Sequence, residues 1–240
     1  EFWKRIFSSE DPWSLLDQYY EQIPEKERSN FLREFLPQPF YGYLHRELKK
    51  DILLLLINPG QVRSKELNNL LPNGTLEEKT RAWNEKIQIR HRTWNEAEYQ
   101  ANEEWLIKKK DTWREVRRKQ AEKVYGEFGF LHTIEFFPFH SKDWKLTGEK
   151  KQRWIYDLEP TKLAINAIKH IAEQIKVKHI VGIGKPWVNI LSHYKDMFEL
   201  VETHVIPGKK RFSHRFYKFN SRPQGIPIVI YISGSGGINL

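Results

Sequence analysis

The chain has 240 residues, a net charge of +9 and 14% aromatic residues, with 9 Trp, 10 Tyr and 14 Phe. That length suits one α/β domain, residues 1–240, with room for an insertion, and the basic balance selects an anionic partner, nucleic acid ahead of a membrane surface. With no cysteine, disulfides, thiol catalysis, thiolate zinc sites and cysteine-ligated iron–sulfur clusters are excluded.

No apolar run approaches the ~20 residues of a membrane helix. The first residues, Glu1-Phe2-Trp3-Lys4-Arg5, carry no signal-peptide pattern, and the missing initial Met suggests trimming. A soluble, cytoplasmic monomer is expected. Basic groups for phosphates beside flat rings for bases suit a protein that handles unpaired nucleotides.

Residues 1 to 36 have helical spacing in two pieces. Asp11-Pro12 is a start signal, with Trp13, Leu16 and Tyr20 following. A second helix is expected from Pro24 to about Leu36, with Phe31 and Phe35 on one face. Pro37 and Pro39 break it. The run Ile52 to Leu56 is wholly aliphatic and passes through Ile57 into Asn58-Pro59-Gly60, the signature of a strand buried on both faces. Asn-Pro-Gly is also a plain turn sequence.

A polar loop is expected to about Asn73-Gly74, then a charged helical insertion over residues 76–125. Its basic cluster, Lys108-Lys109-Lys110 with Arg114, Arg117, Arg118 and Lys119, could follow a phosphate backbone or simply face solvent. A second strand is expected over Phe130 to Phe137, leading through Pro138 and Phe139 to His140-Ser141. A helix follows from Pro160 to Lys176, then a third strand from Lys178 to Ile183, stopped by Gly184-Lys185-Pro186. Residues 204 to 225 look basic and irregular. The last strand runs from Pro227 to Ile232 and ends in Ser233-Gly234-Ser235-Gly236-Gly237.

Strands alternating with helices imply a central four-stranded parallel sheet with helices on both faces. Ligands bind beyond the carboxyl ends of such strands, which makes Asn58 a candidate for chemistry. No nucleoside-triphosphate loop, dinucleotide fingerprint or nucleophile elbow is present. Asp51, Glu135 and Asp157 could gather magnesium for a nuclease, but they fall at a strand start, a strand end and a loop.

The order strand–Asn-Pro-Gly, strand–Phe-Pro-Phe-His-Ser, strand–Gly-Lys-Pro, strand–Ser-Gly-Ser resembles the uracil-DNA glycosylase superfamily. It is most similar to the branches whose first motif reads Ile-Asn-Pro-Gly, as in the mismatch-specific enzymes. The resemblance covers roughly residues 38–60 and 128–240. It implies that a nucleotide is flipped out of the duplex into a pocket, and that Asn58 positions water against the sugar C1′ while the glycosidic bond breaks. An amide is a poor general base, so binding and orientation would supply most of the acceleration.

The resemblance also implies roles for Gly60, Glu135, Phe136 and Ser233 at the base, and for Lys185, Ser235, Gly236, Ile238, Lys210 and Arg211 on DNA. Ile238 or Leu240 could fill the vacated stack. Tyr41, Phe137 and Trp83 stand beside Phe136 as candidates to stack on the base. Uracil-excising relatives carry a bulky Tyr where this chain has Gly60, so the obstruction against a C5 substituent is gone. Glu135 stands in place of the Asn that reads uracil. A carboxylate accepts hydrogen bonds and suits an exocyclic amine such as cytosine N4, though an ordinary salt-bridged glutamate is also compatible. The last motif lacks the His that steadies a departing uracil anion.

These departures point to a C5-modified cytosine, such as the glucosylated hydroxymethylcytosine of some phage genomes, as in a phage-defence branch of the superfamily. A monofunctional glycosylase without metal or organic cofactor is expected. A uracil or mismatch repair enzyme, a non-catalytic reader of modified DNA on the same fold, and a metal-dependent nuclease remain as alternatives.

Overall fold

The computed structural model describes residues 2–42, 50–93, 118–119, 121–122, 125–142, 144, 146, 152–174, 177–207, 213–222 and 225–232. In chain order the named elements are α1 (Phe2–Phe7), α2 (Pro12–Tyr20), α3 (Glu25–Arg28), β1 (Phe40–Tyr41), β2 (Ile52–Leu56), α4 (Ser64–Leu70), α5 (Leu76–Thr93) and β3 (Leu131–Glu135). They continue with α6 (Trp154–Asp157), α7 (Glu159–Gln174), β4 (His179–Ile183), α8 (Lys185–His193), β5 (Phe198–Pro207), β6 (Ser213–Ser221) and β7 (Ile228–Ile232).

Local chemistry explains several boundaries. Asp11 caps α2, its carboxylate accepting from the Trp13 and Ser14 N–H groups, with Pro12 in the first turn. Thr75 and Glu78 form a reciprocal capping box at the start of α5. The expected helix from Pro24 to Leu36 is mostly absent, since α3 stops at Arg28. Beyond it, Phe31 bridges to Ser141, Leu32 N–H donates to the His140 carbonyl (2.9 Å) and Lys142 N–H to the Asn30 carbonyl (3.0 Å). Pairing with residues 140–142 supplies the backbone hydrogen bonds that a helix would have made. The expected polar loop before Gly74 contains α4, whose Glu66 carboxylate accepts from the Arg63 N–H. Of the charged insertion, α5 is its best-described part, and residues 94–117 lie outside the described residues.

The protein is mixed α/β with one mostly parallel sheet, ordered β1-β3-β2-β4-β7-β6-β5. The four strands expected from sequence are β2, β3, β4 and β7. β2 and β4 pair in parallel, as do β4 and β7. Gly129 N–H meets the Lys50 carbonyl before β2, and Phe137 N–H meets the Ile57 carbonyl after it, so β3 runs the same way. The sheet nevertheless has seven strands rather than four. Residues 204 to 225, expected to be irregular, form most of the antiparallel β5–β6 pair, and β6 pairs antiparallel with β7. Glu199 to Val205 are exposed whichever way they point, so the alternation that marks a half-buried strand is missing there.

The chain gathers into two compact units, each made of three segments. The first comprises Glu1–Phe40, Ile57–Trp94 and Glu135–Ala164. It buries Ile6, Phe7, Leu16, Leu36 and Ile87 in one cluster, and Leu32, Phe35, Val62 and Leu67 in another. The second comprises Tyr41–Leu56, Asn95–Ile134 and Ile165–Leu240, with Ile52, Leu54, Phe128, Leu131 and Val181 at its centre. Among the described residues, no helix is long and apolar enough to cross a membrane.

Asp51, a candidate magnesium ligand by sequence, is committed to the second unit's core. It is 3% exposed. One carboxylate oxygen accepts from the Phe130 N–H (2.9 Å) and the other meets His132 Nε2 (2.8 Å). A Cβ at position 129 would stand 2.2 Å from that carboxylate, so the approach requires Gly129. Among the described residues no group of three or more His, Cys, Asp or Glu side chains is arranged to hold a metal. Replacing Asp51 with Ala removes both hydrogen bonds from a buried position. Asp51→Ala is expected to lower stability by about 2–4 kcal/mol, measured by urea denaturation, whereas a loss below about 0.5 kcal/mol would show the contact to be incidental.

Candidate active site

The site is built where two loops meet in the first unit. One leaves β2, a strand whose Ile52 to Leu55 are buried, and continues as Ile57-Asn58-Pro59-Gly60. Gly60 has φ +70°, a left-handed conformation that favours glycine. The other loop leaves β3 as Phe136-Phe137-Pro138-Phe139-His140-Ser141. Its aromatic residues anchor it: Phe136 and Phe137 have no exposed surface, and Phe139 has 2%. The Phe137 ring packs against Phe31, Phe139, Trp144 and Trp154, with centroids 5.0–5.8 Å apart. The Phe139 ring lies against Trp13 and Tyr20. Gln38 N–H donates to the Pro138 carbonyl (2.9 Å).

Four hydrogen bonds tie these loops together. Phe137 N–H donates to the Ile57 carbonyl (2.8 Å) and Ser141 N–H to the Gly60 carbonyl (3.2 Å). Asn58 Nδ2 donates to Ser141 Oγ (2.6 Å), and His140 Nδ1 to the Gly60 carbonyl (3.0 Å). Asn58 is therefore a partly exposed amide held by its nitrogen, with its Oδ1 as the acceptor end. Such a group can orient a water molecule by accepting one of its hydrogens. It cannot take a proton at neutral pH.

His140 is the residue of this candidate site that the sequence alone does not single out. It stood inside a quoted motif, but no role was attached to it. Its ring is 2% exposed, and the bond to the Gly60 carbonyl fixes the proton on Nδ1. Among the described residues Nε2 has no hydrogen-bond partner, and the Phe35 and Trp83 rings stand T-shaped to the imidazole with centroids 5.9 and 6.4 Å away. Burial drives the imidazole pKa down to about 4, against a smaller upward pull from the Gly60 carbonyl. His140 is accordingly neutral at pH 7.

The other expected site residues fall as follows. A Cβ added at Gly60 would meet nothing within 4 Å, so the space beside it is open. Glu135 closes β3 at 6% exposure, its backbone N–H on the Pro39 carbonyl (2.9 Å). Phe136 packs on Tyr156 with centroids 5.7 Å apart. Tyr41 is 2% exposed, and Trp83 is half-buried against the Leu32, Phe35, Val62 and Leu67 cluster. Lys185, in the second unit, is exposed at the first position of α8, after Gly184 at φ +95°. Ser233, Ser235, Gly236, Ile238, Leu240, Lys210 and Arg211 lie outside the described residues. Comparison with protein-family models, curated proteins and solved structures finds no match to this chain.

The buried imidazole couples stability to pH. Its folded pKa lies below the ordinary 6.5, so the unfolded chain binds the proton more readily. The stability it permits is complete above pH 6.5 and declines as pH falls toward 4, by about 3 kcal/mol in all. Subtracting the pH–stability curve of His140→Leu from that of the wild type should leave this decline. A flat difference between pH 6.5 and 4 would contradict the burial argument.

Proposed function

We propose that this chain is a monofunctional DNA glycosylase that flips a C5-modified cytosine from the duplex and hydrolyses its N-glycosidic bond, leaving an abasic site. The observation that carries the reading is the Asn58 amide, held by Ser141 Oγ at 2.6 Å on the loop just past β2. The four parallel strands lie in the order β3-β2-β4-β7, so the chain reverses its direction of winding between β2 and β4. In open α/β sheets ligands bind at that point, outside the carboxyl ends of the strands. Asn58 is two residues beyond the end of β2. The resemblance to the uracil-DNA glycosylase superfamily rests on the same loop and on the Phe-Pro-Phe-His-Ser loop bonded to it.

In this reading the flipped nucleotide presents C1′ to a water held by Asn58 Oδ1. The glycosidic electron pair leaves with the base nitrogen through an oxocarbenium-like transition state, the water oxygen adds to C1′, and the proton that water loses passes through solvent to the departing base, which is released neutral. The amide contributes orientation, while fixed dipoles and DNA phosphates stabilise the developing positive charge. No lysine occupies the first motif, so no Schiff base forms and the strand stays intact. The chain's own side chains suffice, and no metal or organic cofactor is invoked. Glu135, buried at the end of β3, supplies an acceptor for the N4 amino group of cytosine. Ser233 would complete the base pocket. Phe136, expected at the base, has no exposed surface and packs on Tyr156 instead, so it supports the loop from the core and does not touch the base.

The open space beside Gly60 supports a base carrying a bulky C5 group, such as glucosylated hydroxymethylcytosine of phage DNA, over plain uracil. Phage defence would be the corresponding biological role. The net charge of +9 suits a phosphate backbone. Lys185, Lys210, Arg211, Ser235, Gly236 and Ile238 are the proposed DNA contacts, and the protein would act as a cytoplasmic monomer.

Asn58→Ala should reduce abasic-site formation on glucosylated duplex about 10²–10³-fold, the scale of losing one transition-state contact, with DNA affinity kept. Unchanged activity in that variant would remove Asn58 from the mechanism. Binding of modified duplex by the wild type without base release would favour the non-catalytic reader.

Gly60→Tyr refills the open space at some cost in backbone strain, about 1–2 kcal/mol. It should depress activity on glucosylated DNA at least about tenfold more than on unglucosylated hydroxymethylcytosine, a pocket effect within the usual range of steric discrimination. Equal losses on the two substrates would show that the space beside Gly60 does not receive the sugar.

A further inference from the structure

We propose that His140 is a positioning residue for Asn58: its Nδ1–H fixes the Gly60 carbonyl, and the turn held there sets the direction of the Asn58 amide. The two residues 140 and 141 grip both ends of Asn58-Pro59-Gly60. Ser141 Oγ takes the Asn58 amide at 2.6 Å, while His140 Nδ1 and Ser141 N–H converge on one carbonyl at 3.0 and 3.2 Å.

Gly60, at φ +70° with open space at its Cβ position, has no side chain to hold it. Glycine's wide conformational range leaves its carbonyl direction to these hydrogen bonds. Phe137 N–H holds the loop's start at Ile57, and His140 and Ser141 hold the part that carries Asn58 and Gly60.

Packing alone does not explain a histidine at this position. The ring is buried beside Phe35 and Trp83, and among the described residues Nε2 is buried without a hydrogen-bond partner. An apolar ring would fill the same volume without desolvating an unpaired acceptor. What an apolar ring cannot do is donate to Gly60. A rule of good packing is broken here, next to the amide assigned the chemistry, as happens where function outweighs stability.

The proposal rests on the glycosylase reading for its effect on rate, and two isosteres separate the two. Asn places an amide N–H near the Nδ1 position, and Gln places it near Nε2, while Gln fills the buried volume better than Asn. The variants to compare are His140→Asn and His140→Gln, each measured for Tm and for kcat and KM on glucosylated duplex. His140→Asn should keep activity although its Tm is the lower of the two. His140→Gln should lose about 100-fold in kcat, the scale of a misplacement near 1 Å, with KM changed less than about threefold.

Activity that follows Tm, or equal activity in both variants, would overturn the proposal. Failure of both to fold would also overturn it, since His140 would then be a packing residue. If the wild type releases no base from any DNA, the glycosylase reading fails, and the Asn58 side-chain amide resonances still decide the positioning role. They should keep their wild-type shifts and exchange rates in His140→Asn and lose them in His140→Gln. The same resonances in both variants would overturn it.

Discussion

The carbonyl of Gly60 accepts from two donors, the His140 ring and the Ser141 backbone, and the geometry of the candidate site depends on that convergence. A glycine in the left-handed region gives the chain its turn past the central strand. The same freedom would let the turn wander. Two donors on one oxygen, with Asn58 tied to the next side chain along, convert a flexible turn into a fixed one. The donors themselves are fixed by Phe136, Phe137 and Phe139, whose burial holds the second loop in place. Orientation of Asn58 thus traces back to aromatic packing through a short chain of hydrogen bonds.

In the proposed glycosylase reading, this holding is what would let a group as weak as an amide suffice. An asparagine neither donates nor takes a proton in a hydrolysis, so its value lies in geometry. A positioning group must be held by something stiffer than itself, and the paired loops meet that need. The buried, neutral His140 belongs to the same logic. Its tautomer is set by the Gly60 carbonyl, and its burial beside aromatic rings keeps it uncharged at neutral pH.

Parts of this were legible in the sequence. The aliphatic run before Asn58 announced β2, because a strand covered on both faces has no polar alternation to disguise it. Asp11-Pro12 announced α2 for an equally local reason. The helix drawn through Phe31 and Phe35 was a misreading, since spacing of four suits a helix but does not require one, and residues 140–142 supplied better backbone partners. The β5–β6 pair was hidden by residues exposed on both sides. The contact between Asn58 and Ser141 spans 83 positions and leaves no trace in spacing. His140 was visible as a letter in a motif, yet its burial and its single tied nitrogen are tertiary facts. Gly60 was legible as a missing side chain, and its left-handed φ and open surroundings give that omission a second use.

The most direct measurement of the central claim is mass spectrometry of the products from duplexes carrying glucosylated hydroxymethylcytosine, plain cytosine or uracil. The account predicts release of the intact glucosylated base from the first substrate, with an unbroken strand bearing an abasic site. Release of uracil alone, or no free base from any of the three, would contradict it.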